Sequence, residues 1–271
     1  MLGRDLVKHL PAYADEVVGM DLPDLDVVSE ASAADAFEAI RPDAAINCAA
    51  MTAVDDCEDN EDAAYLVNAV GAGNVARVCA RRGCRLIHLS TDYVFSGEGP
   101  HTEDEEPKPL NAYGRTKLEG ERMVLGELPS ATVLRTAWLY GPGGPSFLHT
   151  ILKLSRKRRY LDVVNDQRGN PTWTLEIEQT IEWLLGSPVK GVLHAVCTGS
   201  ATWFDFANYV IRDIFQRPSV VRPCTSEELG RRAKRPSDSR LDCSRLRELA
   251  GWELPPWRDA LMNFAGNHPN G

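Results

Sequence analysis

The stretch between Arg85 and Lys117 narrows the fold more than any other part of the chain. Arg85 to Leu89 alternates apolar with polar residues and reads as the end of a strand. Ser90, Thr91 and Asp92 then stand at the strand's carboxyl edge, where open α/β sheets bind their ligands. After a loop rich in Gly, Pro and Glu comes Tyr113-Gly-Arg-Thr-Lys117. Four residues apart, Tyr113 and Lys117 share one face of a helix. A phenol gives up its proton reluctantly near neutrality, and a nearby ammonium lowers that cost. These parts suit proton donation to a carbonyl oxygen under reduction, with the Thr91 hydroxyl holding that oxygen. Taken singly, the Tyr/Lys pair reads as a solvated helix face and Ser-Thr-Asp as a turn or cap. Their conjunction, in this order, points to a site.

Six runs carry a wider resemblance: Ile46 to Asp55 (INCAAMTAVD), Thr91 to Phe95 (TDYVF), Pro109 to Glu121 (PLNAYGRTKLEGE), Arg135 to Trp138 (RTAW), Asp166 to Thr172 (DQRGNPT) and Arg235 to Leu241 (RPSDSRL). Spread over nearly the whole chain, they resemble the extended short-chain dehydrogenase/reductases, most closely the dTDP-4-dehydrorhamnose reductases. The resemblance implies an α/β fold: a Rossmann-like doubly wound parallel sheet with a smaller, interwoven C-terminal substrate domain. It implies NADPH or NADH as cofactor and a nucleotide-linked 4-keto-6-deoxyhexose as substrate, dTDP-4-dehydrorhamnose being reduced to dTDP-rhamnose. By the same resemblance Thr91, Tyr113 and Lys117 are catalytic. Gly3, Asp21, Asp26, Val27, Ala49, Ala50, Thr52 and Asn68, with Tyr113 and Lys117, face the cofactor. Thr91, Asp92, Tyr93, Trp138, Gln167 and Arg235 face the substrate. Met51 departs from the pattern, standing where the family often has a bulkier polar aromatic ring. Two other readings stay open: an NADP-binding regulatory subunit resembling that of methionine adenosyltransferase, and another nucleotide-sugar epimerase or dehydratase.

Several of these positions also have a reason in their own chemistry. An acid at the end of a second strand, Asp21 after Glu16 to Met20, binds a ribose and repels a 2′-phosphate. Ala49 and Ala50 follow the apolar strand Ala44 to Cys48, and small residues there let a cofactor approach the backbone. A flat ring at a strand end, Trp138, can stack on a pyranose, although aromatics in strands usually pack.

The start of the chain is anomalous for this fold. Met1-Leu-Gly3 opens directly into a helix, with only the last glycine of a Gly-rich turn and no first strand. The expectation is that about 10–15 residues precede Met1, enough for a short strand and turn. The competing reading is a truncated form with impaired cofactor binding. Without that strand, its two neighbours would keep unpaired backbone groups.

Composition bounds the rest. A chain of 271 residues fits one large domain or two small ones. We expect a nucleotide-binding part of residues 1–142 and 172–198, and a substrate-binding part of 143–171 and 199–271. The net charge of −9 argues against nucleic acid as a partner. No apolar run approaches the ~20 residues of a membrane span and no leader is seen, so we expect a cytoplasmic protein, with a homodimer as a further expectation. Seven cysteines without a Cys-x-x-Cys pair read as reduced thiols, and six histidines show no ligand spacing, so no metal site is expected. The acidic run Asp55 to Asp62 reads as a solvated helix start. The basic cluster Arg231, Arg232, Lys234 and Arg235 is the better candidate for substrate phosphates. Ala63 to Arg82 reads as a long helix bearing Asn68, and Ala131 to Leu139 as a strand. Pro145 to Arg159 reads as a helix ending in the basic run Arg156 to Arg159, and the helically spaced aromatics from Trp203 read as core. Ser219 to Pro223 is expected as a short strand, paired with Tyr160 to Val164.

Overall fold

The computed structural model describes residues 1–14 and 16–268. Four strands form a parallel sheet: β1 (Ala44–Asn47), β2 (Arg85–Thr91), β3 (Thr132–Thr136) and Gly191–His194, side by side in that order. The two-residue period of a strand sends alternate side chains to opposite faces. Leu86 and Val133 therefore join Val75, Ala76, Cys79 and Val124 on one face. Ile87, Leu134 and Leu193 join Leu2, Leu6, Ile177 and Ile181 on the other. Helices Gly71–Arg82 and Ala112–Glu127 cover the first face. The second is covered by α1 (Leu2–His9) and the helix Thr174–Gly186. Burial of each of these large side chains contributes about 1.5–3 kcal/mol, which is why both faces of β2 and β3 read as apolar.

Most expected elements are present. The strand Val220–Cys224 runs parallel to Tyr160–Val164, with Val221 opposite Leu161. Ser29 caps the helix Glu30–Ile40 by accepting from the Ser32 N–H. The long helix expected over Ala63 to Arg82 is continuous, but a π turn at Leu66–Val70 interrupts its α geometry and carries Asn68.

Three expectations need correction. Glu16 to Met20, expected as a strand, is extended but pairs with no other described strand; apart from half-buried Val17 it is exposed. A strand is held by its ladder, and β1 lies at the edge of the described sheet, with β2 alone beside it. Ala131 to Leu139, expected as one strand, breaks after Thr136, because Trp138 adopts φ +48° and cannot continue a pleat. Leu139–Tyr140 then leaves the main sheet and pairs with Thr172–Trp173. The helix expected over Pro145 to Arg159 spans only Phe147–Ser155, so the Arg156 to Arg159 run follows it rather than ending it.

Candidate active site

The carboxyl ends of β1, β2 and β3 bring the catalytic candidates together. Thr91 closes β2 and is buried. Its hydroxyl donates to Asp92 Oδ1 at 3.0 Å and accepts from the Tyr93 N–H at 3.2 Å. The Thr91 side chain lies close enough to the Tyr113 phenol to act on its acidity. Local chemistry fixes the Tyr113 helix against this loop. Asn111 caps it by accepting from the Gly114 N–H, and Glu58 accepts from the Ala112 N–H. Gly114 lies against the Tyr93 carbonyl so closely that a Cβ there would overlap it. The Tyr93 ring meets the Tyr113 ring edge-on, with centroids 5.8 Å apart.

Lys117 is positioned differently from the expectation. It is buried, and its Nζ donates to the Leu89 carbonyl at 2.7 Å and lies 3.3 Å from His88 Nε2. Burial lowers its pKa to about 8, against smaller opposing effects of Glu121 and Cys48. The Tyr113 phenol is pushed up, chiefly by burial, while the nearby Thr91 side chain pulls the other way and the neighbouring Asp92 adds a smaller upward push. In this conformer Lys117 therefore does not set the phenol's acidity. Tyr113 is fully protonated at neutral pH, as an acid awaiting a carbonyl oxygen must be. The Asp92 carboxyl is raised to about 7 by burial, and its Oδ2 has no hydrogen-bond partner.

Asn68 ties this helix to the loop after β1. Its side chain accepts from the Met51 N–H at 2.8 Å and donates to the Met51 carbonyl and Thr116 Oγ1, both at 3.1 Å. Gly120 permits the approach, since a Cβ there would strike the Asn68 carbonyl. Ala49, Ala50 and Thr52 line the same loop, and Asn47 Oδ1 accepts from the Ala49 N–H. Gly3 sits over Cys48, so α1 begins at this end of the sheet. Asp21 and Asp26 are exposed and bond neighbouring backbone, while the Val27 carbonyl accepts from Asn74. Val27 thereby lies against the helix Gly71–Arg82.

Among the substrate candidates, three are held by other parts of the protein. Arg235 grips Asp55 through both terminal nitrogens at 2.8 and 3.0 Å. Arg231 lies 3.9 Å from Asp55, and Arg232 pairs with Asp59. The acidic run expected as a solvated face thus neutralises much of the basic cluster expected to meet phosphates. Gln167 is buried and donates to Ser226 Oγ at 2.8 Å. Trp138 lies flat on Trp203, with centroids 3.5 Å apart and planes 4° from parallel; its buried Nε1–H has no partner. A side chain at Gly169 would collide with the Trp138 ring. Trp203, expected as core, is thus half of this aromatic stack.

Sequence reasoning passed over a polar layer beneath the site. Ser90 donates to Glu121, which holds Arg135 in two bonds of 2.6 and 2.9 Å, and Arg135 reaches His194 at 3.4 Å. The signal was present: Asn47, His88, Arg135 and His194 interrupt short apolar strands covered on both faces.

The family model for the RmlD substrate binding domain matches residues 1–268. The chain belongs to this family. Among its relatives, a probable dTDP-4,6-dihydroxy-2-methyloxan-3-one 4-ketoreductase of Streptomyces antibioticus is 44% identical, over 99% of this chain and 94% of its own length. A dTDP-4-keto-6-deoxy-D-glucose reductase of Streptomyces niveus is 41% identical, over 96% and 92%. Among solved structures, the Bacillus anthracis dTDP-4-dehydrorhamnose reductase in complex with NADP is 35% identical and superposes with a TM-score of 0.95, covering 98% of this chain and 95% of that one. The Rossmann-like α/β fold expected from the sequence is therefore the family's fold. Among the described residues, no three or more His, Cys, Asp or Glu side chains are grouped to hold a metal ion, and no helix is long and apolar enough to cross a membrane.

Proposed function

We propose that this protein is an oxidoreductase that uses NADPH to reduce the 4-keto group of a dTDP-linked 4-keto-6-deoxyhexose, dTDP-4-dehydrorhamnose being the first candidate. The observation that carries this reading is the approach of the Thr91 side chain to the Tyr113 phenol at the carboxyl end of β2. The three relatives named above, each a keto-reducing enzyme by name, support it over a regulatory subunit and over an epimerase or dehydratase. NADP in the Bacillus anthracis relative favours the phosphorylated cofactor, against the Asp21 argument for NADH.

The residues present fit a nicotinamide cofactor in two respects. The loop after β1 offers small side chains at Ala49 and Ala50, and the Lys117 amine lies beneath that loop near Cys48. Gly3, Ala49, Ala50, Thr52, Asn68 and Lys117 would hold the cofactor on the side of α1, with Asp21, Asp26 and Val27 along the adenosine. A bound NADPH would supply the hydride. Tyr113 then gives its proton to the carbonyl oxygen, and Thr91, whose hydroxyl already lies against the phenol, orients that oxygen. Asp92 and Tyr93 hold Thr91, and Trp138 faces the sugar once the Trp203 stack admits it. Gln167 and Arg235 would complete the substrate side once freed from Ser226 and Asp55.

We further propose that residues 1–142 and 172–198 form the nucleotide-binding part, and 143–171 with 199–271 the substrate part. A cytoplasmic location and a homodimer complete the reading; light scattering tests the latter. The deciding experiment is NADPH oxidation with dTDP-4-dehydrorhamnose, using parent and Tyr113→Phe proteins. Turnover that depends on Tyr113 supports the proposal, and a folded parent that consumes no NADPH with any 4-keto sugar nucleotide overturns it.

A further inference from the structure

Lys117 does not rest in open space; it is docked in a polar slot whose proton positions can be worked out. Asn47 and His88 are cross-strand partners in the β1–β2 register, so their side chains meet on one face. The Ala49 N–H donates to Asn47 Oδ1 at 3.0 Å, which fixes the orientation of that amide. Asn47 Nδ2 is then the atom 3.2 Å from His88 Nδ1, and it has only protons to offer. His88 Nδ1 must therefore accept, and the imidazole is the Nε2–H tautomer. Burial pushes the His88 pKa well down, so a second ring proton is disfavoured. The Nε2–H points at Lys117 Nζ, 3.3 Å away. An ammonium has no lone pair to receive it. A neutral amine does: it donates one proton to the Leu89 carbonyl and accepts from His88 with its lone pair.

We propose that His88, its tautomer fixed by Asn47, is a positioning residue for the reductase reaction that holds the Lys117 side chain docked as a neutral amine. Protonation of Lys117 breaks the His88 contact and releases the side chain toward the Tyr113 face of its helix. The other groups around the amine are Glu121, one turn further along the same helix, and Cys48 from the loop after β1. Glu121 is already held by Arg135 and Ser90. The Cys48 thiol is pushed up by burial and stays neutral, with the Met1 amino group acting on it as well. Among the described residues, His88 is the one donor aimed at the amine itself.

This inference rests on the reductase reading for its catalytic meaning, but its test does not need turnover. Full-length protein carrying 13C-ε-lysine is titrated by NMR, the Lys117 signal being identified by its loss in Lys117→Met. Removing a hydrogen bond made only to the neutral form must raise the midpoint, so His88→Phe should shift it upward by about one pH unit. The alkaline limb of kcat/KM should move with it, whereas a residue that merely packs would lower the rate at every pH without moving that limb. Asn47→Asp offers a second route if His88→Phe does not fold. The new carboxylate accepts from Nδ1–H, reverses the tautomer and should raise the Lys117 midpoint too. Imidazole nitrogen shifts should read Nε2–H in the parent and Nδ1–H in Asn47→Asp. A parent with Nδ1–H, or a folded variant of either kind with an unmoved Lys117 midpoint, overturns the proposal. A moved midpoint in a protein that reduces no keto sugar would leave the docking intact and remove the reductase reading instead.

Discussion

Thr91 and Tyr113 stand on different elements, one ending a strand and the other opening a helix, yet the Thr91 side chain reaches the Tyr113 phenol closely enough to act on its acidity. A carbonyl oxygen placed between them would meet the Tyr113 proton, and the Thr91 proton once it turns from Asp92. The pair is preorganised, so orienting it during reaction costs little.

Tyr113→Phe removes the proton donor while keeping the ring and its edge-on contact with Tyr93. NADPH-dependent turnover should fall roughly 10²–10⁴-fold, the usual worth of general acid catalysis, with an unchanged melting temperature. A loss of less than about threefold would remove Tyr113 from the mechanism.

Lys117→Met should separate stability from activity. Lys117 titrates near 8 in the fold instead of 10.5, so between those values the unfolded chain binds more protons and folding gains from rising pH. Below pH 8 the buried amine costs the fold about 3 kcal/mol on this reckoning. The methionine variant should melt higher than the parent at pH 7, with the gap closing toward pH 10 or above. Turnover should collapse at every pH. Scanning calorimetry at the two pH values checks the first part, and a parent that melts higher at both would refute it.

Asp92→Asn should show the opposite pH trend. The Asp92 carboxyl is raised from 3.8 to about 7, so the folded state holds the extra proton between those values and its stability falls as pH rises through 7. The asparagine variant should therefore gain melting temperature over the parent at pH 8 and gain little at pH 5. An equal difference at both pH values would show that Asp92 does not titrate in that window.

Arg135→Met leaves Glu121 as a buried carboxylate without its partner, both side chains being 3% exposed. Breaking such a pair from one side costs about 3–5 kcal/mol, so chemical denaturation should show a lowered midpoint. Adding Glu121→Leu should recover much of that loss, because the pair is then replaced by apolar groups. A double variant no more stable than the single one would sink this account.

The sequence by itself settled most of the strands and helices, because each depends on local rules. Apolar runs of four or five residues make covered strands, and Asn111 caps the helix whose first turn carries Tyr113. Resemblance added the family, since its motifs stand in order along the whole chain. What the sequence could not settle were choices between partners. Arg235 is as suited to a phosphate as to Asp55, and only the packing of the 231–235 segment against the helix Val54–Asp59 selects the carboxylate. Glu16 to Met20 has strand composition, but a ladder requires a neighbour, and the described sheet gives it none. Trp138 leaves the strand because its ring lies between Gly169 and Trp203, contacts made by residues far along the chain. The charge of Lys117 was the least legible of all. It depends on burial and on a histidine tautomer set across two strands, and those exist only once the chain has folded.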